Sequence, residues 1–233
     1  MSTIPRAERK STPQGTGALS FHVINTGDDI AVPIENAFVA GYTGRDPEAV
    51  QAHISELQKI GVAPPPEVPM YYRMAPSLFS TADAFESKTS HVTSGEVEPL
   101  YVLIGDEFYV GVGSDHTDRE LETVDIAESK LTCPKPVGTD LVSMGDVNQV
   151  SLDSCQVRCW VDDVLYQSGT LNEILSPADA LGPLREKFPT VHTLICLGGT
   201  VPLLNGKFQR GTRWKLSLEF EDGRSISHSY SMK

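Results

Sequence analysis

Glu96 and Glu98 stand two residues apart in Thr93-Ser-Gly-Glu-Val-Glu98, a run that reads as a strand, so both carboxylates leave one face. Asp115 follows the next strand-like run, Glu107-Phe-Tyr-Val-Gly-Val-Gly113, where it can point toward that pair. Three carboxylates converging without a nearby Lys or Arg repel one another strongly unless a cation lies between them. Such hard oxygen donors suit Mg²⁺, Mn²⁺ or Ca²⁺ rather than zinc. The same pattern also fits an acidic, solvated strand, with Asp115 capping the turn that follows.

Other residues offer complementary chemistry. His53 and Glu56, three apart on a predicted helix, are surface neighbours, and an imidazole oriented by a carboxylate can take a proton from water. A solvated surface pair is the plainer alternative. Lys130, in Ala127-Glu-Ser-Lys-Leu-Thr-Cys133, could meet a substrate carboxylate or an enolate oxygen, or simply solubilise the surface. Gly198-Gly199-Thr200 follows a hydrophobic strand and could present backbone N–H groups to a ligand oxygen. It lacks the helix and lysine of a phosphate loop, which argues against nucleotide binding. Arg45 and Arg73 are further candidates for anion contact. Asp118, Glu120, Glu122 and Asp125 read as the solvated face of a short helix, with Arg119 as their ion-pair partner.

The elements that must position these residues are mostly strands. Leu19–Ile24 and Ile30–Val32 form a hairpin around Asn25-Thr-Gly-Asp-Asp29, and Pro33 ends it. Glu35–Tyr42 is a strand. Asp46 and Pro47 open a helix with the stripe Val50, Ile54 and Leu57, ended by Gly61 and the prolines 64–66. Thr117 and Glu120 form a capping box for a short helix. Gln156–Tyr166 is a hairpin turning at Asp162-Asp163, Thr170–Glu173 is a second capping box, and Ser176-Pro177 starts a helix toward Phe188. Three strands follow between Thr190 and Tyr230, with turns at Asn205-Gly206 and Asp222-Gly223.

The chain of 233 residues is long enough to bury a core as one domain over 19–233, behind a polar tail over 1–18 rich in Ser, Thr, Gly and Pro. A net charge of −12 argues against partners such as nucleic acid or an anionic membrane. No signal peptide or bilayer-spanning run is read. Cys133, Cys155, Cys159 and Cys196 lack zinc spacing and read as buried free thiols of a cytoplasmic protein.

In order, these segments resemble the catalytic C-terminal-type domain of the fumarylacetoacetate hydrolase superfamily, from roughly Ala40 to Tyr230. His53-Ile-Ser-Glu56 looks like its H-x-x-E segment, Gly95-Glu-Val-Glu98 matches its E-x-E pair, and Ser114-Asp-His-Thr-Asp-Arg-Glu120 is similar to N-D-x-[ST]-x-R-D. Pro69–Leu78 resembles the strand after the dyad, and Ser129-Lys130 the substrate-side lysine. Tyr166–Thr170 resembles R-Q-x-G-x-T, Gly199-Thr-Val-Pro202 the G-T-P loop, and Phe208–Gly211 the L-x-x-G-D strand entry. Departures are Ser114 in place of Asn, His116 where an apolar residue is usual, and Arg73 or Met74 where a lysine is usual.

The resemblance implies an α+β, mainly β fold, a mixed β-sandwich roll with peripheral helices. It implies Mg²⁺ or Mn²⁺, with Ca²⁺ a further candidate, held by Glu96, Glu98 and Asp115. His53 and Glu56 would activate water, and Lys130 would stabilise an oxyanion. Thr200, Gly199, Arg73, Arg45 and the atypical His116 make up the implied substrate side. The expected reaction is hydrolysis of a C–C bond in a 2-oxo acid or 1,3-dicarbonyl, with decarboxylation, lyase or isomerase chemistry, or binding without turnover, as alternatives. A homodimer is implied as well.

Overall fold

The computed structural model describes residues 17–59 and 61–233, so most of the tail expected over 1–18 lies outside the described residues. Among the described residues, seventeen strands and four α-helices carry the fold. The first hairpin forms as expected, β1 (Ala18–Val23) against β2 (Asp28–Pro33), followed by β3 (Asn36–Gly41). Helix α1 (Pro47–Lys59) starts where Asp46 accepts a hydrogen bond from the Glu48 N–H at 2.9 Å. It buries only Ile54, so it lies lightly on the surface. Then come β4 (Met70–Met74), β5 (Phe79–Ser80), β6 (Ala84–Phe85) and β7 (Thr93–Ser94).

The central hairpin is β8 (Val97–Ile104) with β9 (Glu107–Ser114). After it, β10 (Thr117–Asp118), α2 (Arg119–Glu122), α3 (Ile126–Leu131) and β11 (Lys135–Pro136) lead to β12 (Asp140–Gly145). The capping residue of α2 is Asp118, not Thr117: its Oδ1 accepts from the Glu120 and Leu121 N–H groups. Thr117 is held instead in β10, opposite Ser94 of β7. A second hairpin, β13 (Gln156–Val161) and β14 (Val164–Thr170), turns through Asp162 and Asp163, both left-handed at φ 47° and 69°. Helix α4 (Pro177–Lys187), capped by Ser176, precedes β15 (Thr193–Leu197), β16 (Arg213–Glu219) and β17 (Ser225–Met232).

An eight-stranded mixed sheet runs β2-β1-β12-β9-β8-β15-β3-β4, and a five-stranded sheet runs β14-β13-β16-β17-β6. Alternation along the central strands feeds two cores. Tyr101 and Leu103 of β8, with Phe108, Val110 and Val112 of β9, pack toward Trp214, Leu216 and Leu218 of the second sheet. Leu100 and Val102 pack instead with Phe21, Val32, Val39 and Tyr72, which come from both ends of the large sheet. A sheet whose two ends share one core is curled on itself. This is the mainly β roll with peripheral helices that the sequence implies.

Candidate active site

The central hairpin gathers the acidic residues. Val97 pairs with Ser114, Glu98 with Gly113, and the Asp115 N–H donates to the Glu96 carbonyl at 3.1 Å. Glu96, Glu98 and Asp115 therefore sit together at the open end of β8 and β9. Glu98 continues the face of Leu100 and Val102, which is why it is buried, 3 % exposed.

The chain itself supplies the positive charge that the sequence pattern left to an external cation. Asp115 is enclosed, and its Oδ2 accepts from Lys130 Nζ of α3. Lys135 Nζ of β11 lies 3.0 Å from Asp115 Oδ1, off the line of a hydrogen bond, and donates to the His116 carbonyl at 2.6 Å. Burial pushes the Asp115 carboxyl up, but the two ammonium groups outweigh it and hold it well below the usual carboxylate range. Burial acts against Lys130 too, and Asp115 with Glu122 raises it above an ordinary lysine. Glu96 accepts from Arg119 Nη2 at 2.8 Å, while Arg119 also reaches Glu122 at 2.9 Å and Ser94 Oγ at 2.6 Å. The Phe208 ring covers that guanidinium, 3.7 Å from its centroid.

Glu98 is the exception. Its carboxylate accepts one charge-neutral hydrogen bond, from the Gly199 N–H at 2.9 Å. Burial, then the neighbouring Asp115, push its pKa well above the usual value. The loop carrying that donor is built for close approach. Gly199 sits at φ +101°, and a Cβ there would lie 1.7 Å from Thr43 Oγ1. Gly199→Ala should therefore cost about 2–4 kcal/mol of stability, read by urea unfolding, because strain and overlap add.

The remaining sequence candidates fall in several places. Thr200 Oγ donates to the Val97 carbonyl and accepts from Gln167 Nε2, each at 2.8 Å, so it ties the loop to β8. The His116 ring is fully buried, bonded to the Tyr230 and Thr93 hydroxyls at 3.0 Å each, edge-on to Trp214. Burial, reinforced by Lys135, pushes its pKa down to about 3, so it is neutral packing between the sheets. Arg45 grips Asp153 with both terminal nitrogens and the Ile174 carbonyl with Nε. Arg73 bonds Asn36 at 3.0 Å in a separate cleft of about 420 Å³ lined by Tyr71, Lys187 and Phe188. His53 and Glu56 are both exposed on α1; no hydrogen bond joins them, and His53 instead lies 6.3 Å, ring to ring, from Tyr42. Tyr42 itself is left-handed at φ 57° and feels the charge of Lys130, although burial dominates and raises its pKa. Asp118, read as solvated, is buried and bonded to His91 at 2.8 Å. Lys135 escaped the sequence reading altogether.

The family model described as "Protein of unknown function (DUF2848)" matches residues 40–230. The chain belongs to the DUF2848 family. No curated protein matches it in sequence. In three dimensions this DUF2848 protein is similar to fumarylpyruvate hydrolase from Pseudomonas aeruginosa, solved in complex with Mn²⁺ and pyruvate. That match has 17 % identity and a TM-score of 0.65, and covers 97 % of this chain and 99 % of the other. It is also similar to 5-carboxymethyl-2-hydroxymuconate delta-isomerase from Mycobacterium smegmatis, with 16 % identity and a TM-score of 0.54, covering 88 % and 86 %. The fold is that of the fumarylacetoacetate hydrolases.

Whether the DUF2848 site suits a divalent ion turns on its oxygen donors. Among the described residues no three His, Cys, Asp or Glu side chains stand in a metal-holding arrangement, and Arg119 and Lys130 engage Glu96 and Asp115. The donor chemistry nonetheless fits. Among the described residues Glu98 is a buried carboxylate without a cationic hydrogen-bond donor, and Asp115 Oδ1, though 3.0 Å from Lys135 Nζ, is buried without a hydrogen bond.

Proposed function

We propose that this DUF2848 protein is a divalent-metal-dependent enzyme that hydrolyses a C–C bond in a small 2-oxo acid or 1,3-dicarbonyl. Glu96, Glu98 and Asp115 would hold Mg²⁺ or Mn²⁺. The observation that carries the reading is Glu98, buried between Asp115 and Glu96 with a single backbone donor. The fold shared with a hydrolase that binds Mn²⁺ and pyruvate supports it.

The local charge also favours an anionic substrate. Four carboxylates, of Glu96, Glu98, Asp115 and Glu122, face three cationic side chains, Arg119, Lys130 and Lys135. With a divalent ion added, the cluster is left with a single positive charge, which one substrate carboxylate neutralises. When bound, the ion supplies Lewis-acid stabilisation of a developing enolate. Lys130, under the Tyr72 ring and beside Asp115, would turn its ammonium to a substrate oxygen. His53, exposed beside Tyr42, would accept a proton from water. Phe208 over Arg119 would exclude water from the Glu96 side.

A second reading, an isomerase, decarboxylase or lyase on the same scaffold, draws on one observation: His53 and Glu56 are not hydrogen-bonded to each other, so no carboxylate orients a base toward water. Acylpyruvates, oxaloacetate and β-diketones assayed with Mn²⁺, Mg²⁺ or EDTA separate the two by their products. We expect cleavage that EDTA abolishes and that His53→Ala lowers about 100-fold or more. Unchanged turnover in His53→Ala would remove His53 from the mechanism, and turnover indifferent to EDTA would remove the metal.

A further inference from the structure

The unexplained group of the site is Lys135. Its side chain is wholly enclosed, at 0 % exposure, on a two-residue strand pinned parallel to Phe79-Ser80. Its ammonium is anchored on a carbonyl that cannot move away. That carbonyl belongs to His116, whose ring is clamped by Tyr230, Thr93 and Trp214. From this anchor Nζ lies against Asp115 Oδ1 at 3.0 Å.

Lys130, which takes the other oxygen of Asp115, is differently placed. It retains some exposure, 8 %, and rests on the face of the Tyr72 ring, 5.5 Å from its centroid. Lys130 thus has a second contact and a share of exposed surface, and Lys135 has no exposed surface, so moving it would strand a buried charge.

We infer that Lys135 is a fixed internal counter-cation of Asp115, a positioning residue that stays in the site when a divalent ion enters and holds the affinity for that ion down. This rests on the metal reading of Glu96, Glu98 and Asp115. Its consequence is a trade between the two ligands of the site. An ammonium a few ångströms from the metal position weakens cation binding, and the same charge favours an oxo-acid anion. Lys135 therefore shifts the site away from the free ion and toward the anionic substrate.

The test is titration calorimetry of the full chain with Mn²⁺ alone, and with Mn²⁺ in the presence of oxalate. Wild type is compared with Lys135→Gln, which keeps a donor for the His116 carbonyl, and with Lys135→Met. Circular dichroism and thermal melts establish that each variant is folded, and Lys135→Gln carries the test should Lys135→Met not fold. Removing the charge should tighten Mn²⁺ binding about tenfold or more, both with and without oxalate. Equal or weaker Mn²⁺ binding by folded Lys135→Gln, with wild type binding Mn²⁺ normally, overturns this inference and leaves the metal reading intact. If neither protein binds Mn²⁺ with or without oxalate, both fall. A structural role alone would lower the melting temperature without tightening Mn²⁺ binding.

Discussion

Asp115→Asn should destabilise the metal-free protein by about 3–5 kcal/mol, although it removes one charge from a crowded acidic cluster. The reason lies in what it leaves behind. Lys130 and Lys135 are both buried against Asp115, and among the described residues neither ammonium has another carboxylate within hydrogen-bonding distance. Lys130 can turn partly to Glu98, which already feels its charge. Lys135 is anchored on the His116 carbonyl and has no such recourse. An isosteric amide thus strands at least one buried cation, the costly way to break a buried pair.

The check is urea unfolding in EDTA, with a double-mutant cycle. Lys135→Met in the Asp115→Asn background should recover part of the loss, giving a coupling energy of about 1–3 kcal/mol. Strict additivity would mean that the two groups do not support each other. The pH dependence has a defined sign. The Asp115 pKa is lowered from 3.8 in the folded state, so its contribution is present above that value and disappears as pH falls below it. Acid sensitivity below about pH 4 should therefore be blunted in Asp115→Asn.

How far the sequence reaches into this site depends on the range of the forces involved. The first hairpin, the start of α1 at Asp46-Pro47, the Asp162-Asp163 turn and the Ser176 cap are local chemistry, and they stand where the residues say. Adjacent candidates are harder. Thr117 and Asp118 can each cap α2, and the pairing of Thr117 with Ser94, residues far apart in the chain, decides for Asp118. The insertion of β15 between β8 and β3, with β16 in the other sheet, has no local signature either.

Within the site, the spacing of Glu96, Glu98 and Asp115 was readable because one hairpin brings them together. The compensating charges were not. Lys135 lies in Cys133-Pro-Lys-Pro-Val137, which resembles a polar surface turn, and only the His116 carbonyl and Asp115 make its burial tolerable. Arg119 was assigned to its helical neighbours, and Glu122 is indeed one partner. Its bonds to Glu96 and Ser94 cross between elements that sequence patterns do not connect.

Glu98→Gln should have the opposite effect on stability from Asp115→Asn. Glu98 is buried beside another carboxylate with one backbone donor, so its charge opposes folding, and the amide keeps the Gly199 hydrogen bond without that charge. In EDTA the variant should be more stable than wild type by about 1 kcal/mol or more, or about 2–4 °C in melting temperature. Because the Glu98 pKa is raised above 4.5 in the folded state, wild type loses stability as pH rises from that value through the folded pKa. The advantage of Glu98→Gln should therefore grow with pH over that window and then level off. Mn²⁺ should reverse the ranking. At about 100 times its dissociation constant a ligand adds about 2.7 kcal/mol, and wild type alone should collect it. A variant that melts lower than wild type in EDTA at pH 8 would show that Glu98 is already compensated. A variant that Mn²⁺ still stabilises fully would remove Glu98 from the ligand set. With both expected results, the residue that strains the metal-free fold is the one that retains the metal, and the site gives up stability for binding.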